Sequence, residues 1–552
     1  MKRSLMVRLL VALVALALVA AACTGESTST DVDQDDQATT DDGGGDTDTS
    51  DDDADAGGDD ADAGDDAGDD DAEPAEETDA DDAAPEPIFA EDTSGIPLFA
   101  EFQSTFDRSV DPFSSLDEFC QEHPAAEGRT ASMDGITEDT IEIGHLRSTL
   151  EELAAIGFGV EVGDVAEQFE FLVDALNECT IRGRTVELIT AESSPLAPDT
   201  VAELTGACLQ LTEDNNSVMV LNSTGFQGSA VFCVTEEHET PLITTQGLPA
   251  EFYERSQGRL ITAFPSQVSA LRDLVIQADA AGLLEGRTIG LVAPDTPGIA
   301  EEFVTIENTL VELGHEVAVS DVIGCAGGTS CTEGLQDSVA GMRSAGVDAI
   351  FPGLNILSLP GYVSEMVTQG YATGDVQFFN SSLNSQNGDL VSSKVRAFGG
   401  EAAADLYNNA FLVDSAYTGH ASTEGAVVPP FNELCLNTYA AQGGPLHDYF
   451  SADDGSAAGM VATICTQLRI MARVLYNAGD NPTPESIAEA IANLGPVDTN
   501  GMIPGSVDGQ TGIYNVVQET RWTWPCTFGE DRAFDDQNTC VVPTGNYVPS
   551  GG

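Results

Sequence analysis

Lysine is nearly missing from this sequence of 552 residues: beyond Lys2 there is only Lys394, and Lys and Arg together number 19 against 94 Asp and Glu. A net charge of −75 at pH 7 leaves no basic patch to grip a phosphate backbone or an anionic membrane surface, so nucleic acid is set aside as a partner. Catalytic signatures are missing too. There is no Gly-x-Ser-x-Gly elbow, no Walker loop and no His-Glu-x-x-His, and the six His are scattered. His145, at a strand end, has no partner in sequence and reads as a packed or loop histidine. The absence of any Cys-x-x-Cys argues against zinc. Past residue 22, no stretch reads as long and apolar enough to span a bilayer. These absences point away from an enzyme, with no cofactor and no metal.

What is present begins at the N-terminus. Lys2, Arg3 and Arg8 precede an uninterrupted apolar run, Leu9 to Ala22, which is shorter than the roughly 20 residues a membrane span needs. It ends in Val19-Ala20-Ala21-Ala22-Cys23, which looks like a bacterial lipobox, with Ala at residue 20 in place of the commoner Leu. Residues 1–23 therefore read as a lipoprotein signal peptide, and Cys23 as the lipidated residue. Everything after it is expected outside the cytoplasmic membrane, held at the outer face of the cell membrane by lipid alone.

Residues 24–95 hold 30 acidic residues and no Lys or Arg. Such a segment cannot bury enough apolar surface to offset its ordering entropy, and it reads as a disordered acidic linker. Self-repulsion carries its reach beyond the roughly 47 Å of a flexible coil of that length. Residues 96–552 still set 64 acidic residues against 16 basic ones, which fits a saline habitat where salt screens self-repulsion. An unfolding midpoint that failed to rise between low and molar salt would contradict that expectation.

Setting Cys23 aside leaves ten cysteines, an even number that implies disulfides in an exported chain. Spacing alone leaves the connectivity open. Cys325 with Cys331 and Cys526 with Cys540 bracket short turn-rich loops, Cys208 with Cys233 comes next, and Cys435 with Cys465 and Cys120 with Cys179 complete the set.

After an N-terminal extension, residues 96–134, short β-branched runs alternate with amphipathic segments, as βαβ units do. Strands are expected at Thr140 to Leu146, Arg184 to Thr190, Ser217 to Leu221, Pro241 to Thr245 and Arg259 to Phe264. Helices fall between them. Asp164 to Cys179 sets Val165, Phe169, Leu172, Val173 and Leu176 on one face. A second series runs from a helix at Gln267 to Ala281 through strands at Thr288 to Ala293, Glu316 to Val322, Ala349 to Pro352 and Gln377 to Asn380. Late helices are expected at Gly455 to Asn477 and at Thr483 to Leu494, the latter capped by Thr483 with Pro484 at its first position. The expectation is an α/β protein with two Rossmann-like lobes and parallel sheets. Its first lobe opens with residues 135–264, its second with 265–397, and residues 398–552 return to complete both. Arg259 to Ser266 and Gly400 to Asp414 read as crossings, and Thr511 to Thr523 as a closing hairpin.

Several segments resemble a known family, the type I periplasmic binding proteins of branched-chain amino acid ABC transporters. GITEDTIEIG at Gly135 to Gly144 is similar to the family's mature N-terminus, and Cys208 to Gly247 to its third and fourth strands with the helix between. LVAPDTPGIAEEF at Leu291 to Phe303 resembles the opening of its second lobe, and TPESIAEAIANLG at Thr483 to Gly495 its late helix. The resemblance implies two lobes hinged by three crossings, a leucine-binding-protein-like cleft for a small ligand, and ABC transporter permease subunits as partners. A ligand-sensing receptor lipoprotein of the same fold, signalling to a membrane partner without transport, is the alternative, and neighbouring genes would separate the two.

Open α/β sheets bind ligands beyond the carboxyl ends of their strands. The candidate ligand-binding residues of the first lobe are therefore Arg147, Ser148 and Thr149, then Asn222, Ser223, Thr224 and Gly225, then Thr244, Thr245 and Gln246. In the second lobe they are Asp295, Thr296, Asn355, Asn380 and Ser381. Arg147 suits a carboxylate, and Asp295 an ammonium or a hydroxyl. The loop Pro294 to Gly298 lacks the aromatic that often closes over an amino acid in the family, a departure that leaves room for another ligand; the expected ligand is a small amino acid or a related carboxylate or amide.

Overall fold

The computed structural model describes residues 107–550, apart from 157–160, 198, 226–227, 229, 297–298, 326–329, 382–388, 418, 420–426, 452–453, 504 and 526–539. Cys23, the acidic linker and Cys526 lie outside the described residues, so the Cys526–Cys540 pairing does too.

The first sheet has five parallel strands: β1 (Thr140–Ser148), β2 (Thr185–Ser193), β3 (Met219–Asn222), β4 (Leu242–Thr244) and β5 (Leu260–Thr262), in the order β2-β1-β3-β4-β5. Every residue of β3, β4 and β5 is buried, because helices cover both faces of the sheet. On one face lies α1 (Val165–Cys179). Asp164 caps it by accepting the N–H groups of Ala166 and Glu167, and the apolar stripe read from the sequence is the buried one. On the other face lie α2 (Thr200–Leu209), the short α3 (Ala230–Phe232) and α4 (Ala250–Ser256).

The chain then enters α5 (Gln267–Ala280) and builds a second sheet from β6 (Ile289–Pro294), β7 (Val317–Ile323), β8 (Ala349–Pro352), β9 (Gln377–Asn380) and β10 (Phe411–Asp414), all parallel. Between these strands run α6 (Ile299–Glu312), α7 (Leu335–Ala345), α8 (Leu359–Thr368), α9 (Asp389–Gly399) and α10 (Glu401–Tyr407). After β10 come α11 (Pro430–Ala441), α12 (Gly455–Asn477) and α13 (Pro484–Ala492), followed by a three-stranded sheet of β11 (Pro496–Val497), β12 (Val507–Asp508) and β13 (Ile513–Tyr514). Finally β14 (Val516–Thr523) and β15 (Cys540–Pro549) add antiparallel to the β10 edge, giving the order β15-β14-β10-β9-β8-β6-β7.

Four expectations change. The second sheet is mixed, not wholly parallel, because the returning β14 runs against β10. Gly400 to Asp414 is not a crossing: Phe411–Asp414 is fully buried and pairs with β9, so that segment completes the second lobe and the chain leaves after Asp414. Thr511 to Thr523 is not a hairpin either, since β13 and β14 belong to different sheets and β14 takes β15 as its partner. Fourth, α12 is long and apolar enough to cross a membrane by composition, yet 94% of its most apolar window is buried inside the protein. Its apolar residues face α1, α11 and the first sheet, which makes it a core helix.

Among the described residues, four disulfides join Cys120 to Cys179, Cys208 to Cys233, Cys325 to Cys331 and Cys435 to Cys465, each a pairing expected from the sequence. The first ties residues 107–134 to the end of α1, and Phe113 and Phe119 of that segment sit in the core. Thr483 caps α13 in a reciprocal box with Ser486, with Pro484 in the first turn.

Candidate ligand cleft

Three passages of chain join the lobes, and their positions orient the sheets. The first leaves the carboxyl end of β5, where Thr262 and Ser266 donate N–H groups to the Gly509 and Gly512 carbonyls in the turn between β12 and β13. The second leaves the carboxyl end of β10, where Ala416 bridges to Met502 and Tyr417 donates to the Gly501 carbonyl at 2.7 Å. The third runs through Asn515 into β14, whose start lies beside the carboxyl end of β10. All three passages therefore gather at the carboxyl ends of parallel strands, the ends whose loops carry the candidate ligand residues.

In the first lobe those residues form one hydrogen-bonded rim. The Ser148 N–H donates to Thr224 Oγ1 at 2.7 Å, and the Ser148 hydroxyl and Asn222 Nδ2 both donate to the Gly225 carbonyl at 3.2 Å. Thr244 donates its hydroxyl to Asn222 Oδ1 and accepts the N–H of Gln246 at 3.2 Å. Ser148, Asn222, Thr224 and Thr244 are thereby buried and bonded within the rim, Ser223 is buried against His145, and Thr149, Thr245, Gly225 and Gln246 stay partly open.

Arg147 is less available than the sequence suggests. Its guanidinium pairs with Glu151 at 2.7 Å and with Glu192 on the neighbouring strand β2. A ligand carboxylate would have to displace one of them. His145, two residues back, is fully buried, tilted against the Phe169 ring at 3.9 Å, with Ser223 Oγ 3.0 Å from Nε2 and Thr190 Oγ1 3.4 Å from Nδ1. Burial, helped by the nearby Arg147 charge, pushes its pKa down to about 3, so the ring is a neutral packing element.

In the second lobe a chain of contacts links loops that are far apart in sequence. Asp295 Oδ1 accepts the Cys325 N–H at 2.7 Å, the Cys325–Cys331 disulfide closes that loop, and the Cys331 N–H donates to Ser358 Oγ at 2.9 Å. Ser358 Oγ in turn donates to Asn355 Oδ1, which also accepts the Leu357 and Ser358 N–H groups. Asp295 is exposed, and Thr296 and Asn355 are half-buried. Asn380 is turned inward, donating to the Tyr407 hydroxyl at 2.7 Å, and Ser381 is buried beside it. Asn380 thus anchors its loop to α10.

Sequence reasoning missed Gln467 of α12, whose side-chain amide donates to the carbonyls of Asn222 and Ile243 at the ends of β3 and β4. Its signal was an amide set in a mostly apolar stretch of that helix. A third group, Cys208, Cys233 and His238, brings three metal-type ligands together, but the two sulfurs are spent in a disulfide.

No protein-family model matches the sequence, and no curated protein matches it. Solved structures do. A solute-binding protein of an ABC transporter from R. palustris, in complex with 4-hydroxybenzoate, superposes with a TM-score of 0.52 at 15% identity over 75% of this chain and 98% of that one. A fatty acid ABC transporter substrate-binding protein from Thermomonospora curvata gives 0.51 at 14% identity, over 78% and 97%. The strand orders, the three passages between lobes and these superpositions agree that the chain has the type I periplasmic-binding-protein fold, the leucine-binding-protein-like fold of ABC transporter solute-binding proteins.

Proposed function

We propose that this chain is a solute-binding protein of an ABC transporter, exported by its signal peptide, held at the outer face of the cell membrane by lipid on Cys23, and handing its ligand to permease subunits. It performs no chemistry on that ligand. The observation that carries this reading is the gathering of all three interlobe passages at the carboxyl ends of both sheets. A hinge there opens and closes the polar loop tips on a guest, and ligand binding favours the closed population.

The ligand is a small molecule bearing a carboxylate or amide, an amino acid or a relative of one. Hydroxyl, amide and main-chain N–H groups at Thr149, Thr245, Gln246, Thr296 and Asn355 suit such a group. The two neighbours described above are named for 4-hydroxybenzoate and for fatty acids, and both ligands carry a carboxylate. With Arg147 already paired, recognition rests on these neutral donors and on Asp295, which suits an ammonium.

Isothermal titration of the exported chain against amino acids, short amides, urea, hydroxybenzoates and aliphatic carboxylates tests the reading. One member of the panel should bind and shrink the scattering radius on closure. Silence across the panel discards this ligand class.

A further inference from the structure

Basic side chains are kept away from the sheet ends where a ligand would sit. The ten segments that leave the carboxyl ends of β1 to β10 for the next helix contain eight Asp or Glu and no Lys or Arg. Bases lie instead before the amino ends: Arg182 and Arg184 precede β2, Arg259 precedes β5 and Arg287 precedes β6. On so acidic a surface, acids in loops select nothing by themselves; the lack of a base where a bound anion needs one does.

Arg147 is the only Lys or Arg within β1 to β10 themselves, and its guanidinium is shared between Glu151 and Glu192. Helix N-termini hold anions without a base, but two of those that follow the carboxyl ends are already filled. Asp164 accepts the N–H groups of Ala166 and Glu167 in α1, and Asp199 accepts that of Ala202 in α2. An anionic guest is left with neutral donors. The carboxylates stand differently. Asp295, exposed at the end of β6, has its Oδ1 fixed by the Cys325 N–H at 2.7 Å in a loop closed by the Cys325–Cys331 disulfide, and no Lys or Arg pairs with it among the described residues. A carboxylate already held in place loses little freedom on meeting a cation. Glu152, in the first lobe, accepts hydroxyls alone among the described residues, from Thr149 at 2.9 Å and from Ser194.

We propose that the cleft selects a basic amino acid, one whose side chain carries a second cationic group and whose net charge is positive, with a cationic group of the ligand meeting Asp295. This inference rests on the solute-binding reading above and narrows its ligand class. The negative field of the lobes concentrates such a ligand at the cleft, and the direct contact at Asp295 outlasts the screening of surface charge by salt. The ligand's carboxylate falls to the neutral hydroxyl, amide and main-chain N–H donors of the loop tips.

Isothermal titration of the exported chain with lysine, norleucine and 2-aminoadipate, three amino acids on one carbon skeleton with net positive, neutral and negative charge, reads the selection at physiological salt. The positive member should bind about tenfold more tightly than the neutral one, and the negative member most weakly. Asp295→Asn keeps an oxygen for the Cys325 N–H, and with it the loop, while removing the charge; it should weaken the tightest positive binder about tenfold. A tightest binder of neutral or negative net charge, in this series or in the wider panel, would overturn the proposal and leave the solute-binding reading standing. Silence across both panels removes that reading and this inference with it. A variant that binds the cation undiminished would overturn the assignment of Asp295.

Discussion

Gln467, midway along α12, donates its side-chain amide to the main-chain carbonyls of Asn222 and Ile243, the latter at 3.2 Å, and so clips the core helix to the ends of two strands whose loops face the cleft. Replacing it with Leu leaves both carbonyls buried without that donor, a loss of about 1–3 kcal/mol. Urea unfolding should show a lower midpoint with an unchanged slope. A midpoint equal to that of the unaltered chain would mean the two contacts contribute nothing.

The Cys120–Cys179 disulfide closes a loop across 59 residues and fixes the N-terminal extension to α1. On the chain-entropy model, a loop of that size contributes about 4 kcal/mol. The double substitution Cys120→Ser with Cys179→Ser should lower stability by an amount of that order and expose residues 107–134 to limited proteolysis, with ligand affinity kept. Unchanged protease resistance would show that Phe113, Phe119 and the Arg108–Asp498 pair hold the extension unaided.

His145 supplies a pH signature whose sign is fixed by its burial. The folded protein keeps the ring neutral down to about pH 3, whereas the unfolded chain protonates near 6.5. Its contribution is therefore complete above pH 6.5 and is lost as the pH falls from there towards 3, because the unfolded state then binds the extra proton. His145→Gln should flatten the fall in stability between pH 6.5 and 4 by a few kcal/mol, measured as the difference between the two proteins' unfolding free energies at each pH. Parallel profiles would place the acid sensitivity in the carboxylates.

The alternation of strands and helices was legible because each lobe's central strands are short buried runs such as Ile289–Pro294 and Ala349–Pro352, set apart by amphipathic segments. Helices α4, α9, α10 and α11 were not. They are short, or begin beside prolines or glycines, and α11 carries so even a mix of apolar and polar residues that its sequence shows no clear stripe. The mixed edge of the second sheet escaped notice because β14, which ends at Thr523, takes its partner only from Cys540 onward, a separation at which local pattern is silent. At the cleft, the polar loop tips follow from their place after strands, since turn chemistry and ligand chemistry favour the same small residues. What each tip does follows from partners distant in sequence: Tyr407 for Asn380, Ser358 for Asn355, Glu192 for Arg147.

The last of these pairs yields the sharpest test of how a ligand is held. Arg147 shares its guanidinium between Glu151 and Glu192, and the site around it is therefore net negative, a poor setting for a bound carboxylate. Glu192→Gln keeps the shape of the side chain and removes one charge, freeing a guanidinium edge and reducing repulsion at the same moment. A carboxylate ligand that reaches Arg147 should then bind about tenfold more tightly, as expected when a partly exposed charge contact worth about 1.4 kcal/mol is gained. Arg147→Gln in the unaltered background should change its affinity little, since the cation is already committed. An ammonium-led ligand that relies on the acidic surroundings gives the reverse, weaker binding in Glu192→Gln, and titrating both variants against the ligand found in the panel decides which end of the molecule faces β1.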